Sequence, residues 1–246
     1  MSIRRVALIG LALLTAACDP GPPAPVKLQV ALAWDTQNAV LSSDLTTITT
    51  DTGYVVELDR LTVTTYSIEL MSCEPLPPPR AAFNLIGTAR AGHQVGHPPT
   101  RTTAAGIENP LKSSTMVMDR IAPPDVAYCG AHYLIGRLLD APPGADAAET
   151  TGFSLRAHGR YRKADQDTWT PLALDSAVAH GILINFDAPK TGVRFKDGDT
   201  VVVTRRLSSM FNGIDFAAMD ESAVVRQTLR HLVATTAVTW HPASPG

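Results

Sequence analysis

The sequence predicts a mainly β protein, an antiparallel β-sandwich with one C-terminal helix. Three observations lead to this prediction. Many short segments alternate apolar and polar residues, which is the pattern of strands with one buried face. Turn-forming residues interrupt these segments roughly every dozen residues, as in known sandwiches. Only the segment after Asp220 repeats its apolar residues at helical spacing.

The N-terminal segment is typical of an export signal. Arg4 and Arg5 provide a basic start, and residues 6–14 form an apolar run about half as long as a membrane-spanning helix. The run ends in Thr15-Ala16-Ala17-Cys18, which resembles the processing site of a bacterial lipoprotein. We expect residues 1–17 to be removed and Cys18 to be lipidated. An ordinary signal peptide cut near Ala17 is the alternative.

The residues after the signal are rich in proline, which predicts a stiff tether over residues 18–25. Each buried acyl CH₂ contributes about 0.8 kcal/mol, so a multiply acylated Cys18 would hold the protein on a membrane without a spanning helix. We therefore expect a periplasm-facing lipoprotein on the inner or outer membrane of a bacterial envelope. Residues 26–241 would then form a single β-sandwich domain.

Charge and motifs exclude several classes of function. The formal net charge is −2 at pH 7, and it falls to −4 once Arg4 and Arg5 leave with the signal. This mildly acidic chain lacks the basic footprint of a nucleic-acid-binding protein. No nucleophile elbow, phosphate loop or dinucleotide fingerprint occurs in it. We therefore expect a protein that is not an enzyme.

The first half of the domain predicts three strands. Residues 26–34 alternate strictly, and residues 45–50 are rich in β-branched side chains before a turn at residues 51–53. Residues 54–73 are long for one strand. Their apolar face changes phase after Leu58 and again before Tyr66, which predicts either β-bulges or a strand that bends from one sheet to another.

The second half predicts further strands and the helix. Asp197-Gly198 is a strong hairpin signal because this pair accepts positive φ, so residues 193–196 and 200–203 are expected to pair. A loop over residues 207–219 precedes the helix, which Asp220 would cap. The other predicted strands are residues 115–121, 127–138, 153–162, 169–174 and 178–186.

Cys73 and Cys129 are the two cysteines that remain if Cys18 is lipidated. In an oxidising compartment a lone pair of cysteines normally forms a disulfide. This one would close a loop of about 56 residues and stabilise the fold by about 4 kcal/mol. The alternative is that Cys129 is a free thiolate that binds a metal ion.

Two histidines lie between these cysteines, in a long irregular connection of the kind that is often functional. His93 and His97 have the spacing of one helix face, but Gly92, Gly96 and Pro98 disfavour a helix. On a straight strand the two residues would be roughly 13 Å apart, too far to share one ion. A turn would bring the two rings together, and the glycines permit one. Two solvated loop histidines are the alternative.

His132 is the third candidate ligand. It belongs to the predicted strand at residues 127–138. If Cys129 points inward, Ala131, Tyr133 and Ile135 do so too, and His132 faces the other way with Tyr128 and Leu134. In that position His132 can meet His93 or His97. A surface histidine on a strand is the alternative.

Several segments together resemble the methanobactin-associated (MbnP-like) periplasmic copper-binding proteins. They are residues 26–34, residues 53–56 leading to Cys73, the His93–His97 loop, Tyr128-Cys129, and residues 211–215. The resemblance implies a β-sandwich that binds copper through a few histidines. We therefore expect copper first and zinc second, with His93, His97 and His132 as ligands. The competing hypothesis is an envelope interaction module without metal, whose partner protein would contact an exposed patch at residues 211–219.

Overall fold

The protein is mainly β, with two mostly antiparallel sheets packed as a sandwich and, within the residues that the structure describes, a single helix near the C-terminus. The predicted fold class is therefore confirmed. This computed structural model describes residues 25–42, 45–74, 98–112, 114–140, 151–187 and 191–243. The elements within these residues are β1 (Leu28–Asp35), β2 (Ala39–Leu41), β3 (Thr46–Thr49), β4 (Tyr54–Ser72), β5 (Gly106–Glu108), β6 (Thr115–Ile121), β7 (Tyr128–Ile135), β8 (Leu155–Lys163), β9 (Thr170–Ser176), β10 (His180–Asn185), β11 (Thr200–Arg206), α1 (Glu221–Ala234) and β12 (Ala237–His241).

The smaller sheet has four strands in the order β12-β11-β1-β6. Strand β1 lies between β11, which runs parallel to it, and β6, which runs antiparallel. The parallel pair begins with Gln29 opposite Thr200, so it joins the start of the domain to the last quarter of the chain. Strand β12 then pairs with β11 and forms the sheet edge.

The prediction of a hairpin at Asp197-Gly198 is wrong. The turn itself is present, and Gly198 has a φ of +85°. Strand β11 pairs with β1 and β12, and residues 193–196 form no strand with it. The carboxylate of Asp199 accepts the backbone N–H groups of Lys196 and Ala243, each at 2.9 Å. These bonds tie the turn to the C-terminal strand region.

The larger sheet has eight strands organised around β4. Val56 pairs with Ile48 of β3 on one side and with Tyr161 of β8 on the other. Thr65 pairs with β5 on the first side and with β7 on the second. Strands β2, β9 and β10 extend β3, β8 and β7, respectively. One long strand therefore links all parts of this sheet.

The phase changes predicted within β4 are confirmed. The register shifts between Leu58 and Arg60 against β8, and again between Thr65 and Ser67 against β7. Tyr66 differs from the prediction, because it lies in the second bulge and is 50 % exposed. The residues that β4 buries in the core are Tyr54, Val56, Leu58, Leu61, Val63, Ile68 and Leu70.

Helix α1 contacts β9 and β10 of the larger sheet and β11 of the smaller one, so it covers the sandwich where the two sheets meet. The predicted cap is confirmed, because the Asp220 carboxylate accepts the N–H of Ala223 at 2.7 Å. The apolar stripe predicted from helical spacing is the buried face: Val224, Val225, Thr228, Leu229, Leu232 and Val233.

The prediction of an exposed contact patch at residues 211–219 is wrong, because this segment supplies core residues. Phe211 and Ile214 are fully buried, and Phe216 stacks on Tyr161 with ring centroids 4.5 Å apart. The Asp51 carboxylate accepts the N–H of Gly213 at 2.7 Å, which ties the segment to the turn that precedes β4. The large apolar residues Phe211, Ile214 and Phe216 therefore face the core.

The described residues contain no helix that is long and apolar enough to cross a membrane. The signal segment and Cys18 lie outside the described residues. Cleavage after residue 17 and lipidation of Cys18 therefore stay predictions.

Candidate functional site

His132 lies in the middle of β7, between β4 and β10. Its register partners are Glu69 on β4 and Leu183 on β10. The ring is half-buried on the outer face of the sheet, and its Nε2 would be 3.2 Å from a Cβ added at Gly181. Its ring makes no hydrogen bond with any residue that the structure describes. His132 therefore offers an imidazole on a rigid strand.

The carboxylate next to His132 is already engaged. Arg101 donates from Nε to Glu69 Oε2 at 2.9 Å, and its Nη2 forms an ion pair with the same oxygen. Arg101 belongs to residues 98–102, which run along the second half of β4. There Leu70 donates its N–H to the Thr100 carbonyl at 2.9 Å. Since Arg101 neutralises Glu69, the imidazole is the available metal-binding group at this position.

His93 and His97 lie outside the described residues. The described chain stops at Glu74, just after β4, and resumes at Pro98 beside the same end of β4. Both ends of this gap therefore lie beside β4, and β4 pairs with β7, the strand that carries His132. Within the part of the chain that the structure describes, no three His, Cys, Asp or Glu side chains cluster as a metal site would require.

Cys73 and Cys129 form a disulfide, as predicted, with Cα atoms 4.9 Å apart. The bond uses both thiols, so the alternative of Cys129 as a free thiolate ligand is wrong. Gly192 is required beside it, because its φ is +78° and a Cβ there would be 2.2 Å from Cys73 Sγ. The disulfide joins the end of β4 to the start of β7.

The other described histidines do not join His132. His180 is on the inner face of β10, whereas His132 is on the outer face of β7. His158 Nε2 is 2.9 Å from the Asp175 carboxylate. His231 Nδ1 is 3.4 Å from the Ser209 carbonyl, and His241 is on the exposed edge strand. His132 is therefore the described member of the predicted ligand set, and none of the other described histidines lies beside it.

Sequence reasoning missed a buried charged centre between the two sheets. Arg205 of β11 is fully buried and forms an ion pair with Glu108 of β5. Glu108 also accepts the Trp34 indole N–H at 3.0 Å and the Thr65 hydroxyl at 2.8 Å. Arg205 donates from Nη1 to Thr65 at 3.0 Å and to the hydroxyl of Tyr133. The guanidinium also lies over the Trp34 ring, 4.6 Å from its centroid.

Burial controls the titration of this centre. Loss of water lowers the pKa of Arg205 to about 9. It also raises the pKa of Tyr133 well above its ordinary value, although the hydrogen bond with Thr65 opposes this shift. Arg205 is therefore charged and Tyr133 neutral at pH 7. The one signal in the sequence was an arginine that continues the apolar row of Val201 and Val203.

No family model, no curated protein and no solved structure matches the chain. Among the described residues, His132 is a half-buried imidazole without a described partner, whereas the charges of Arg205 and Glu108 are matched within the core. The outer face of β7 is thus the better candidate for binding a metal ion, and the Arg205–Glu108 pair links β11 of one sheet to β5 of the other.

Proposed function

We propose that this protein is a lipid-anchored protein of the bacterial cell envelope that binds a metal ion through His132, His93 and His97. Copper is the first expected metal and zinc the second. The observation that carries the proposal is the position of the His132 ring, which is half-buried, has no described hydrogen-bond partner and lies on a rigid strand. The segment that contains the other two histidines begins and ends beside β4, the strand that pairs with the one carrying His132.

The chemistry of imidazole supports these metals. A neutral ring nitrogen is a good ligand for both copper and zinc. A rigid strand fixes the direction of one such nitrogen before the metal arrives, which reduces the entropy lost on binding. Protons compete with the metal for the same nitrogen, so the affinity should fall below about pH 6. The resemblance to MbnP-like proteins favours copper over zinc.

The disulfide supports the proposed location. Bonds of this kind persist in oxidising compartments such as the bacterial periplasm and are rare in the reducing cytosol. Cys73 and Cys129 are joined in this way. The proposed lipid on Cys18 would then make the membrane a partner of the protein, and the proline-rich residues 18–25 would hold the sandwich away from it.

Metal titration of the full chain tests the proposal. Calorimetry with Cu²⁺ and separately with Zn²⁺ should give stoichiometric binding to the wild type. His93→Ala, His97→Ala and His132→Ala should each abolish stoichiometric binding. His241→Ala is the matched control, since His241 is on the exposed edge strand β12, and it should bind like the wild type. Absence of binding by the wild type would sink the proposal, as would unchanged binding by His132→Ala.

A second candidate function is an envelope interaction module without metal. The observation in its favour is the apolar character of the outer face around His132, where Leu183 is 66 % and Met71 41 % exposed. Leu183 belongs to the row formed by Leu183, His132 and Glu69, and Met71 lies on the same face in the neighbouring row, opposite Gly130. This candidate predicts that neither Cu²⁺ nor Zn²⁺ binds stoichiometrically, so the same titration separates the two functions.

A further inference from the structure

A cavity of about 240 Å³ opens where β5 ends, away from His132. Its floor consists of Leu32, Trp34 and Glu108, which are all buried. Ile107 and Met116 form its walls. The interior is therefore largely apolar, with one buried carboxylate at the bottom. None of these residues belongs to the proposed metal site, so the two inferences are independent.

The mouth of the cavity carries polar groups that have no described partner. A turn follows β5, in which Lys112 donates its N–H to the Asn109 carbonyl at 3.0 Å. The Asn109 side-chain oxygen accepts the N–H of Leu111 at 3.1 Å. Among the described residues, nothing accepts from the Asn109 amide nitrogen or pairs with the Lys112 ammonium. The turn therefore presents two sets of N–H donors, one of them cationic, at the cavity mouth.

Charge at the floor differs from charge at the mouth. The Glu108 carboxylate is satisfied by Arg205, Trp34 and Thr65, so it needs no further partner. It would nevertheless repel a second anion placed beside it. Among the described residues that line the cavity, Lys112 is the one cation. A ligand with an anionic group must therefore keep that group at the mouth and place its apolar part inside.

We propose that this cavity binds a small alkyl carboxylate, tail first. The Lys112 ammonium and the Asn109 amide hold the carboxylate at the mouth, and Leu32, Ile107 and Met116 surround the tail. The volume equals about eight water-sized volumes of roughly 30 Å³ each, which suits a chain of about six to eight carbons. Each methylene transferred from water should strengthen binding about fourfold until the cavity is full.

The test is calorimetric titration of the full chain with butyrate, hexanoate and octanoate, and with octylammonium and octanol as probes of charge. We expect octanoate to bind more tightly than hexanoate by about fifteenfold, in line with two methylenes. Octylammonium should bind more weakly than octanol. In nuclear magnetic resonance spectra, octanoate should shift the indole N–H signal of Trp34 and leave those of Trp169 and Trp240 unchanged.

Two variants separate the mouth from the interior. Lys112→Met should weaken octanoate about fivefold, as expected for an accessible ion pair, and leave octanol unchanged. Lys27→Met is the matched control, because it removes one exposed cation elsewhere on the surface. Met116→Trp fills the cavity and should abolish binding of both probes. The proposal is overturned if the wild type does not bind octanoate, if octylammonium binds as tightly, or if Lys112→Met and Lys27→Met bind octanoate alike.

Discussion

Replacing Glu108 by glutamine removes the negative charge that pairs with Arg205 in the core. The new side chain has nearly the same shape, so packing between the sheets changes little. Arg205 is fully buried, and the pKa of about 9 that burial imposes keeps it charged at neutral pH. The variant would therefore hold an unpaired cation between the two sheets.

The expected cost follows from the environment of the pair. Removing one partner of a buried ion pair typically costs about 3–5 kcal/mol, because the other charge stays buried without compensation. Here the glutamine amide nitrogen would also replace one of the two oxygens that accept from Trp34 and Thr65, so one of these donors would lose its acceptor. We expect the free energy of unfolding to fall by about 4 kcal/mol, a large share of the 5–15 kcal/mol typical of a folded domain.

Urea unfolding at pH 7, followed by tryptophan fluorescence and circular dichroism, measures this loss. Glu57→Gln is the matched control, since Glu57 pairs with the half-exposed Arg160 and should cost less than about 1 kcal/mol. In the double variant Glu108→Gln with Arg205→Met, the buried cation is gone, and the loss should be at least about 1 kcal/mol smaller than the sum of the single losses. A loss below about 1 kcal/mol in Glu108→Gln, or strictly additive losses, would refute the reasoning.

Two further predictions concern the disulfide and the fall of the unfolding free energy at acidic pH. Replacing Cys73 and Cys129 together by serine should lower the free energy of unfolding by about 4 kcal/mol, because the bond closes a long loop; equal urea midpoints for wild type and variant would contradict this. Burial raises the pKa of Asp199, but the N–H groups of Lys196, Ala243 and Trp240 outweigh it, so the pKa is lowered. The stability that Asp199 supplies is therefore present above the unfolded pKa of about 3.9 and disappears as pH falls through the folded pKa. Asp199→Asn should flatten the decline in unfolding free energy between about pH 5 and about pH 2, and an unchanged slope would count against it.

Local patterns sufficed for much of the fold. The spacing of Val224, Val225, Leu229 and their neighbours predicted the buried face of α1, because a helix places such positions on one side. The phase changes along residues 54–73 predicted the bulges of β4. The positions of many strands were predictable because each strand has its own alternation of apolar and polar residues. The neighbours of β11 could not be predicted in this way. Whether β11 pairs with β1 or with residues 193–196 depends on the arrangement of the whole sandwich.

The candidate site was only partly open to prediction. Ala131, Tyr133 and Ile135 are buried and His132 faces away from them, as the alternation around Cys129 predicted. Tyr128 was expected beside His132 but is buried. The register shifts opposite it, between Met71 and Ser72, and its ring stacks on Phe195.

The charged centre could not be found from the sequence because its members are distant in the chain. Glu108 is on a strand of three residues inside a long irregular connection, and Arg205 follows the part of β11 that the pattern predicted. Nothing in either local pattern indicates that the two would meet. Their contact exists only once the two sheets face each other.

The parallel pairing of β1 with β11 has a consequence for the order in which the molecule can form. Among the described strands β1 is synthesised before the others, yet one of its two edges stays open until residues 200–206 are available. Strand β6 can cover the other edge earlier. Bringing such distant segments together requires the loss of much chain entropy before any contact compensates it, which makes folding slow. Until its last quarter arrives, the chain therefore exposes an apolar strand that neighbouring chains can pair with.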